Sequence, residues 1–445
     1  MTRTPPAPPR ARPLSPASST EVGLARIGSA EAPRPGAAPG TGFRARISLP
    51  PAMSADPSTY VLLAGTTLFL VVFGLVMVLS SSSVESLASG DTFFAAALKQ
   101  GAAALIGLPA MFVASTLRSS WLRKIAPWAM LVSLGMQLLV FTPLGFGYGG
   151  NRNWLSLGPV DIQPSEIVKL AVVLWLAAVL SAHRERSTSL GRLLVMLLPV
   201  LLAIGLVLAG RDLGTAIVMM LMTFGALLIA GVAKRYLAVA ILVCGIVAVG
   251  LSRGSESRVK RIDSWLNGCT NSADYLDTCW QVVHGQWALA AGGVFGVGLG
   301  NSKAKWSWLP EADNDFIFAV IGEELGLIGG IVVLGLFVVI AIGFVRTIGS
   351  TRDGFARVAT GAIMGWVLSQ ALLNIGVVLS IFPVLGVPLP LISSGGSSLF
   401  CTMVAIGIVL SFARKLPPRG RPGAIRELPS SLPSPVQSTV REGIR

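Results

Sequence analysis

Charge is scarce in this sequence. Asp, Glu, Lys and Arg make up 13% of its 445 residues, against about 25% in a soluble domain. That shortage excludes an ordinary water-soluble globule. Histidine is nearly absent: His183 and His284 stand alone, so there is no imidazole cluster of the kind that holds a transition metal. No apolar core follows the first Arg residues, so no signal peptide is expected there. There are four cysteines. Cys244 and Cys401 sit inside apolar runs and read as packing residues. Cys269 and Cys279 share one long polar loop, where an oxidising compartment would allow a disulfide.

What the chain has instead is apolar length. It is 53% hydrophobic with a mean hydropathy of +0.71, and runs of roughly 20 apolar residues recur, each enough to cross a hydrocarbon core about 30 Å thick. The net charge of +14 suggests nucleic acid until it is mapped. Residues 1–57 carry seven Arg against three acidic residues, and 414–445 carry seven Lys or Arg against two. These arms also hold 18 of the 28 prolines. Both therefore read as disordered cytoplasmic arms that anchor topology and attract anionic membrane lipid; no nucleic-acid partner is expected.

Spans are expected at 60–80, 93–115, 125–144, 164–182, 193–209, 213–232, 236–252, 316–345, 358–382 and 392–412. Alternate short connections contain eleven basic residues: Arg118, Arg123, Lys124, Arg184, Arg186, Arg192, Lys234, Arg235, Arg346, Arg352 and Arg357. The opposite short connections contribute Arg152 and Arg211. Positive-inside bias thus predicts an all-α polytopic membrane protein: ten transmembrane helices over 58–413, both termini cytoplasmic, and one large extracytoplasmic loop, 253–314, between spans seven and eight. Long ordered loops tend to carry function, so the part from Trp265 to Asp315 is expected to roof a site. The eighth apolar stretch exceeds one untilted span, so it is tilted or its first turns line a cavity.

Ionisable groups at membrane depth are costly and mark candidate sites. Lys99 lies in the second expected span. Glu166 and Lys169 share one face of the fourth, where a local ion pair is the simpler alternative. Glu323 and Glu324 lie about two turns into the eighth. Asp315 immediately precedes that run. It could cap the helix through its first free N–H groups, or serve as a general base whose pKa the apolar border raises. Residues 382–398, rich in Pro, Gly and Ser, interrupt the apolar pattern, and irregular backbone at this depth must be buried in protein or line a wet cavity. The alternative is a simple external hairpin. Free N–H groups at the following helix start suit an anionic head group.

Four blocks, in shared order and spacing, resemble the SEDS family (shape, elongation, division and sporulation proteins), and within it the division-type, FtsW-like branch. The first runs from Trp154 through Gln163, Pro164, Ser165 and Glu166 to Lys169. The second is Asp212, Leu213, Gly214 and Thr215. The third runs from Gly292 and Gly293 through Gly298, Gly300 and Ser302 to Asp315 and Phe316, then Glu323, Glu324 and Gly326. The fourth runs from Gln370 and Asn374 through Pro383, Gly386 and Pro388 to Ser393, Gly395, Gly396, Ser397 and Ser398. The resemblance covers about 60–413. Departures from the family pattern fall at Asn153, Arg211, Ser307 and Ser394.

The resemblance implies an inverting peptidoglycan glycosyltransferase that polymerises lipid II, a disaccharide-pentapeptide on undecaprenyl pyrophosphate, during septal synthesis. It implies Asp315 as the catalytic acid–base residue. Substrate contacts are expected from Lys169 first, then Arg152, Lys99 and Arg211, with Gln370, Asn374, Ser393, Gly395, Gly396 and Ser397. A divalent cation such as Mg²⁺ could sit between Asp315 and the pyrophosphate. Expected partners are a class B penicillin-binding transpeptidase and activating division proteins at the septal plasma membrane. The rival functions are a lipid II flippase and an elongation-type, RodA-like polymerase.

Overall fold

The computed structural model describes residues 57–414 apart from 89, 91, 149–150, 157, 159–160, 183–188, 254–255, 270–278 and 307–308. Both expected arms, other than Pro57 and Arg414, and the Ser307 departure lie outside the described residues.

Twelve helices and one small sheet are described. The first three helices are α1 (Pro57–Ala88), α2 (Ala95–Ala114) and α3 (Ser119–Leu139). A three-stranded antiparallel sheet follows: β1 (Gly145–Tyr148), β2 (Asn151–Ser156) and β3 (Asp161–Ile162). Then come α4 (Pro164–Ala182), α5 (Leu190–Ala209), α6 (Leu213–Ala230), α7 (Lys234–Arg253) and α8 (Glu256–Leu266). The last four are α9 (Trp280–Gly292), α10 (Ile317–Ser350), α11 (Gly354–Val378) and α12 (Gly396–Arg414).

Among the described residues, α1, α2, α4, α5, α6, α10, α11 and α12 are long and apolar enough to cross a membrane. Helices also stand where the third and seventh spans were expected, as α3 and α7. The third begins earlier than expected, at Ser119 rather than 125, and ends at Leu139. Arg123 and Lys124 had suggested a connection. Both lie exposed in its first turns, and Arg123 pairs with Asp353 at 3.2 Å. The ninth also begins earlier, because Asp353 accepts the Phe355 N–H at 3.0 Å and caps α11. The last begins later, at Gly396, which leaves Ser393, Ser394 and Gly395 in the preceding loop.

The most enclosed spans are α4, α11 and α12, with 61%, 67% and 72% of their apolar windows buried. Small residues bring helices together, as they must where lipid offers no hydrophobic drive between helices. A methyl on Gly225 of α6 would lie 2.9 Å from the Gly361 carbonyl oxygen of α11, and one on Gly407 of α12 would lie 2.4 Å from the Met111 oxygen of α2.

The eighth expected span is one long helix interrupted near its N-terminal end. Gly326 adopts φ 69° and ψ −167°, a region essentially reserved for glycine. The chain at 293–298 fills the break: the Val297 and Gly298 N–H groups donate to the carbonyls of Glu323 and Glu324 at 2.9 and 3.0 Å, and the Leu327 N–H donates to Gly293 at 2.9 Å. The helix therefore divides into a short segment, 317–325, headed by Asp315, and a long rod from Leu327.

The loop expected to roof the site is tied down in two ways. A disulfide joins Cys269, just past α8, to Cys279, the residue before α9. Both helices fasten to the turn after α11. The Trp265 indole N–H donates to the Ser380 carbonyl at 2.9 Å, and the Gln286 amide donates to the Ser380 hydroxyl at 2.7 Å.

Candidate active site

The loop between α11 and α12 is shaped by side chains from α11 and α2. The Gln370 amide donates to the Pro388 carbonyl at 3.0 Å, and the Asn374 amide to Val387 at 2.8 Å. Ser393 Oγ accepts the Leu389 N–H and donates to the Asn314 carbonyl, both at 2.7 Å. Gln100 of α2 donates to the Ser393 carbonyl at 2.8 Å and accepts the Gly395 N–H at 3.0 Å. Every one of these is a bond to otherwise orphaned backbone, which non-helical chain between spans requires. The segment is therefore a packed element of the bundle rather than a free external hairpin.

Asp315 is seated against this element. Asn374 Nδ2 also donates to the Asp315 carbonyl at 2.8 Å, and the Ser394 N–H donates to the Asp313 carbonyl at 2.9 Å. The residue at the cap position of α10 is Phe316, and no side chain caps that helix. The capping alternative for Asp315 is thus not the arrangement found. Its Oδ1 is enclosed and accepts no hydrogen bond among the described residues. Its Oδ2 lies where a methyl on Gly386 would come within 3.4 Å. Burial, then the negative charges of Glu311, Asp212 and Asp313, push the Asp315 carboxyl up to about 7, with the Arg261 guanidinium pulling the other way.

A second carboxylate anchors the far wall. Asp212 caps α6 through the Thr215 N–H at 2.9 Å and accepts from the amides of Asn153 at 3.0 Å and Gln163 at 3.2 Å. The Gln163 N–H in turn donates to Ser397 Oγ at 3.3 Å. The starts of α4, α6, α10 and α12 are therefore linked around one region. Each helix start carries roughly half a positive charge and free N–H donors, so the region favours a multiply charged anion.

The expected contact residues divide. Gln370, Asn374, Ser393 and Gly395 hold the loop, and Gly396 and Ser397 open α12. Lys169 is 1% exposed and faces inwards. Its Nζ lies 2.8 Å from Glu166, donates to Gln370 Oε1 at 3.1 Å and sits 4.7 Å from the Trp366 ring centre. The ion-pair alternative for Glu166 and Lys169 describes this geometry. Arg152 is exposed, donating to the carbonyls of Thr142 and Gly145 at 2.8 and 3.3 Å. Lys99 is exposed on α2, and Arg211 takes a left-handed φ of 66° just before α6. Glu323 and Glu324 belong to the break at Gly326, not to the Asp315 cluster. Glu323 accepts the N–H groups of Lys303 and Ala304 and the Ser302 hydroxyl, while Glu324 accepts from Ser80 at 2.6 Å and lies 3.6 Å from Lys305.

Sequence reasoning missed Gln100, Asp212 and Arg261 as site residues. Gln100, an amide in an apolar run, carried a usable signal. So did Asp212, at a helix start. Arg261, in a long loop, carried none. Among the described residues no group of three or more His, Cys, Asp or Glu could hold a metal ion, so any divalent cation at Asp315 would draw most of its ligands from phosphate and water.

Comparison with known proteins now bears on this geometry. The FtsW/RodA/SpoVE profile, described as cell cycle protein, matches residues 60–417. The chain belongs to the SEDS family. Among its relatives is the probable peptidoglycan glycosyltransferase FtsW of Mycobacterium tuberculosis (strain ATCC 25618 / H37Rv), 37% identical over 395 residues, covering 88% of this chain and 74% of the relative. Stage V sporulation protein E of Bacillus subtilis (strain 168) is 35% identical over 355 residues, covering 79% and 96%. Two solved SEDS-like structures share the fold. One, from a study of polymerization and crosslinking by a peptidoglycan synthase complex, has a TM-score of 0.65 at 25% identity and covers 81% of this chain and 98% of its own. The Thermus thermophilus rod shape determining protein RodA has a TM-score of 0.58 at 25% identity and covers 82% and 98%.

Proposed function

We propose that this SEDS protein is a peptidoglycan glycosyltransferase that joins lipid-linked disaccharides into glycan strands, with Asp315 as its general base. The observation that carries the reading is an uncapped, largely enclosed carboxylate, raised to about 7, among four linked helix starts. In the reaction, the 4-hydroxyl of an incoming lipid II sugar attacks the anomeric carbon of the growing strand. The new C–O bond forms as the anomeric C–O bond to undecaprenyl pyrophosphate breaks, and the configuration inverts. The hydroxyl proton passes to Asp315, and the electron pair leaves on the pyrophosphate. A positioned base contributes about 10²–10⁴ in rate. The helix starts, with Gly396, Ser397 and the exposed Arg152, Lys99 and Arg211, meet the developing negative charge. Lys169 acts at one remove, orienting Gln370 and so the 383–395 loop. A bound Mg²⁺ would add charge neutralisation at the pyrophosphate; the step at Asp315 does not depend on it.

The relatives named FtsW favour septal synthesis, although the RodA neighbour keeps the elongation reading in view. A class B transpeptidase is the fitting partner, since polymerisation and crosslinking are paired in the name of the synthase-complex neighbour. Ten spans, cytoplasmic termini and a septal membrane location complete the proposal. The test is polymerisation of lipid II by the purified protein with its cognate transpeptidase, wild type beside Asp315→Ala. Strand growth in wild type and none in the variant supports the reading. Growth in both removes Asp315 as base. Movement of labelled lipid II across vesicles without any strand growth favours a flippase.

A further inference from the structure

The 293–300 turn belongs to the loop between α7 and α10 that topology alone assigns to the aqueous compartment. Its chemistry points elsewhere. No Asp, Glu, Lys or Arg occurs from 278 to 302. Phe295 is 81% exposed, Leu299 57% and Val294 53%. An apolar cluster this open is unusual in water.

Its depth follows from what it touches. A methyl on Gly343 of α10 would lie 2.4 Å from Leu63 of α1, and Ser80 of α1 bonds Glu324 of α10 at 2.6 Å. The two helices therefore run antiparallel. From Leu63 to Ser80 is seventeen residues, a rise of roughly 26 Å, which fits within a hydrocarbon core about 30 Å thick. The turn is bonded at that level and below it: Gly298 to the Glu324 carbonyl at 3.0 Å, and the Ile328 N–H to the Val294 carbonyl at 3.3 Å. Beside it, Leu327, Ile328 and Ile331 of the spanning rod are 58%, 47% and 57% exposed. The turn thus continues a helix face that already meets lipid.

We propose that the 293–300 turn is a wedge immersed in the outer leaflet of the bilayer, its Val294, Phe295 and Leu299 side chains packed among lipid acyl chains. It enters α10 at the Gly326 break. Hydrocarbon on its outer side thereby fixes the depth of the 317–325 segment and of Asp315 at its head.

The test places a nitroxide at Phe295→Cys, and separately at Leu299→Cys, in full-length protein with Cys244→Ser and Cys401→Ser, reconstituted in phosphatidylglycerol/phosphatidylcholine vesicles. Power saturation compares collisions with oxygen, which partitions into lipid, and with a water-soluble nickel chelate. References are Val338→Cys on the rod, 58% exposed, and Asp263→Cys, exposed on α8 of the same loop. The expected result is that both turn positions match Val338, with oxygen the stronger relaxant. If both match Asp263, with the nickel chelate stronger, the wedge is in water and the proposal fails. Shielding from both reagents also overturns it, by showing that protein, from a partner or a second copy, covers the turn.

Discussion

Asn374 ties the backbone of Asp315 to the loop that faces it: one amide nitrogen donates to the Asp315 and Val387 carbonyls, each at 2.8 Å. Both hydrogens of that amide are committed, and the side chain is 1% exposed. Asn374→Leu therefore releases the base from its seat without touching its carboxyl. Displacing a reacting group by about 1 Å can cost on the order of 10²-fold. The expected outcome is a 10- to 100-fold fall in kcat for strand synthesis with KM for lipid II nearly unchanged. An unchanged kcat in steady-state polymerisation would refute the link.

A base with a pKa near 7 leaves a pH signature. Below that value the carboxyl is protonated and cannot accept the hydroxyl proton. kcat/KM is expected to fall about tenfold per unit as the pH drops from 7 to 5, and to level off above 7. Polymerisation rates across buffered pH check this. A flat profile from 5 to 8 would remove Asp315 from the rate-limiting step.

The same carboxyl works against the fold. Its pKa is about 7 in the folded protein against the ordinary 3.8 of an aspartate in an unfolded chain, so between those values the folded state holds a proton that the unfolded chain releases. Its stabilising contribution is full below about pH 4 and lost as the pH rises through about 7. Asp315→Asn escapes that loss. Its melting temperature should exceed that of wild type at pH 8 and converge with it near pH 4, even as polymerisation disappears. Thermal melts in detergent at the two pH values decide the matter.

Lys169→Met separates structural from head-group roles. It leaves Glu166, 2% exposed, without its cation, and breaking one partner of a buried pair typically costs about 3–5 kcal/mol. Lys169→Met with Glu166→Gln should recover much of that stability. If Lys169→Met instead melts like wild type but loses affinity for lipid II, the ammonium contacts substrate after all.

Gly326→Ala addresses the helix break. A methyl there would stand 2.4 Å from the Gly296 nitrogen and 2.4 Å from the Val294 oxygen, and the backbone conformation alone costs a non-glycine residue about 1–3 kcal/mol. A marked drop in melting temperature is expected. Gly335→Ala, where an added methyl meets nothing within 4 Å, should be neutral.

Spans were legible because twenty apolar residues in a row have few other uses. Asp315 stood out at an apolar border, but its spacing alone left a helix cap and a general base open, and the resemblance to the family singled it out. Other features were not. A Glu and a Lys three apart look the same from sequence whether they line a cavity or pair inside a bundle, so Lys169 was expected at the head group and stands among Glu166, Gln370 and Trp366. Gly326 is one glycine among many in apolar helices, and nothing local says that the chain at 293–298 will fill the gap it opens. The short sheet from Gly145 to Ile162 went unanticipated because glycine-rich strands of two to six residues leave little alternation to read. Helix ends shifted where a single cap, such as Asp353, outweighed the hydropathy profile.

The turn at Ser380 joins distant events. It receives Trp265 from α8 and Gln286 from α9, and it ends the helix that carries Asn374, six positions earlier. A protein docking on those two helices and tilting them would load that turn first. The last stretch of α11 would pass the displacement to the amide beneath Asp315, giving such a binder mechanical leverage over that carboxylate without touching it.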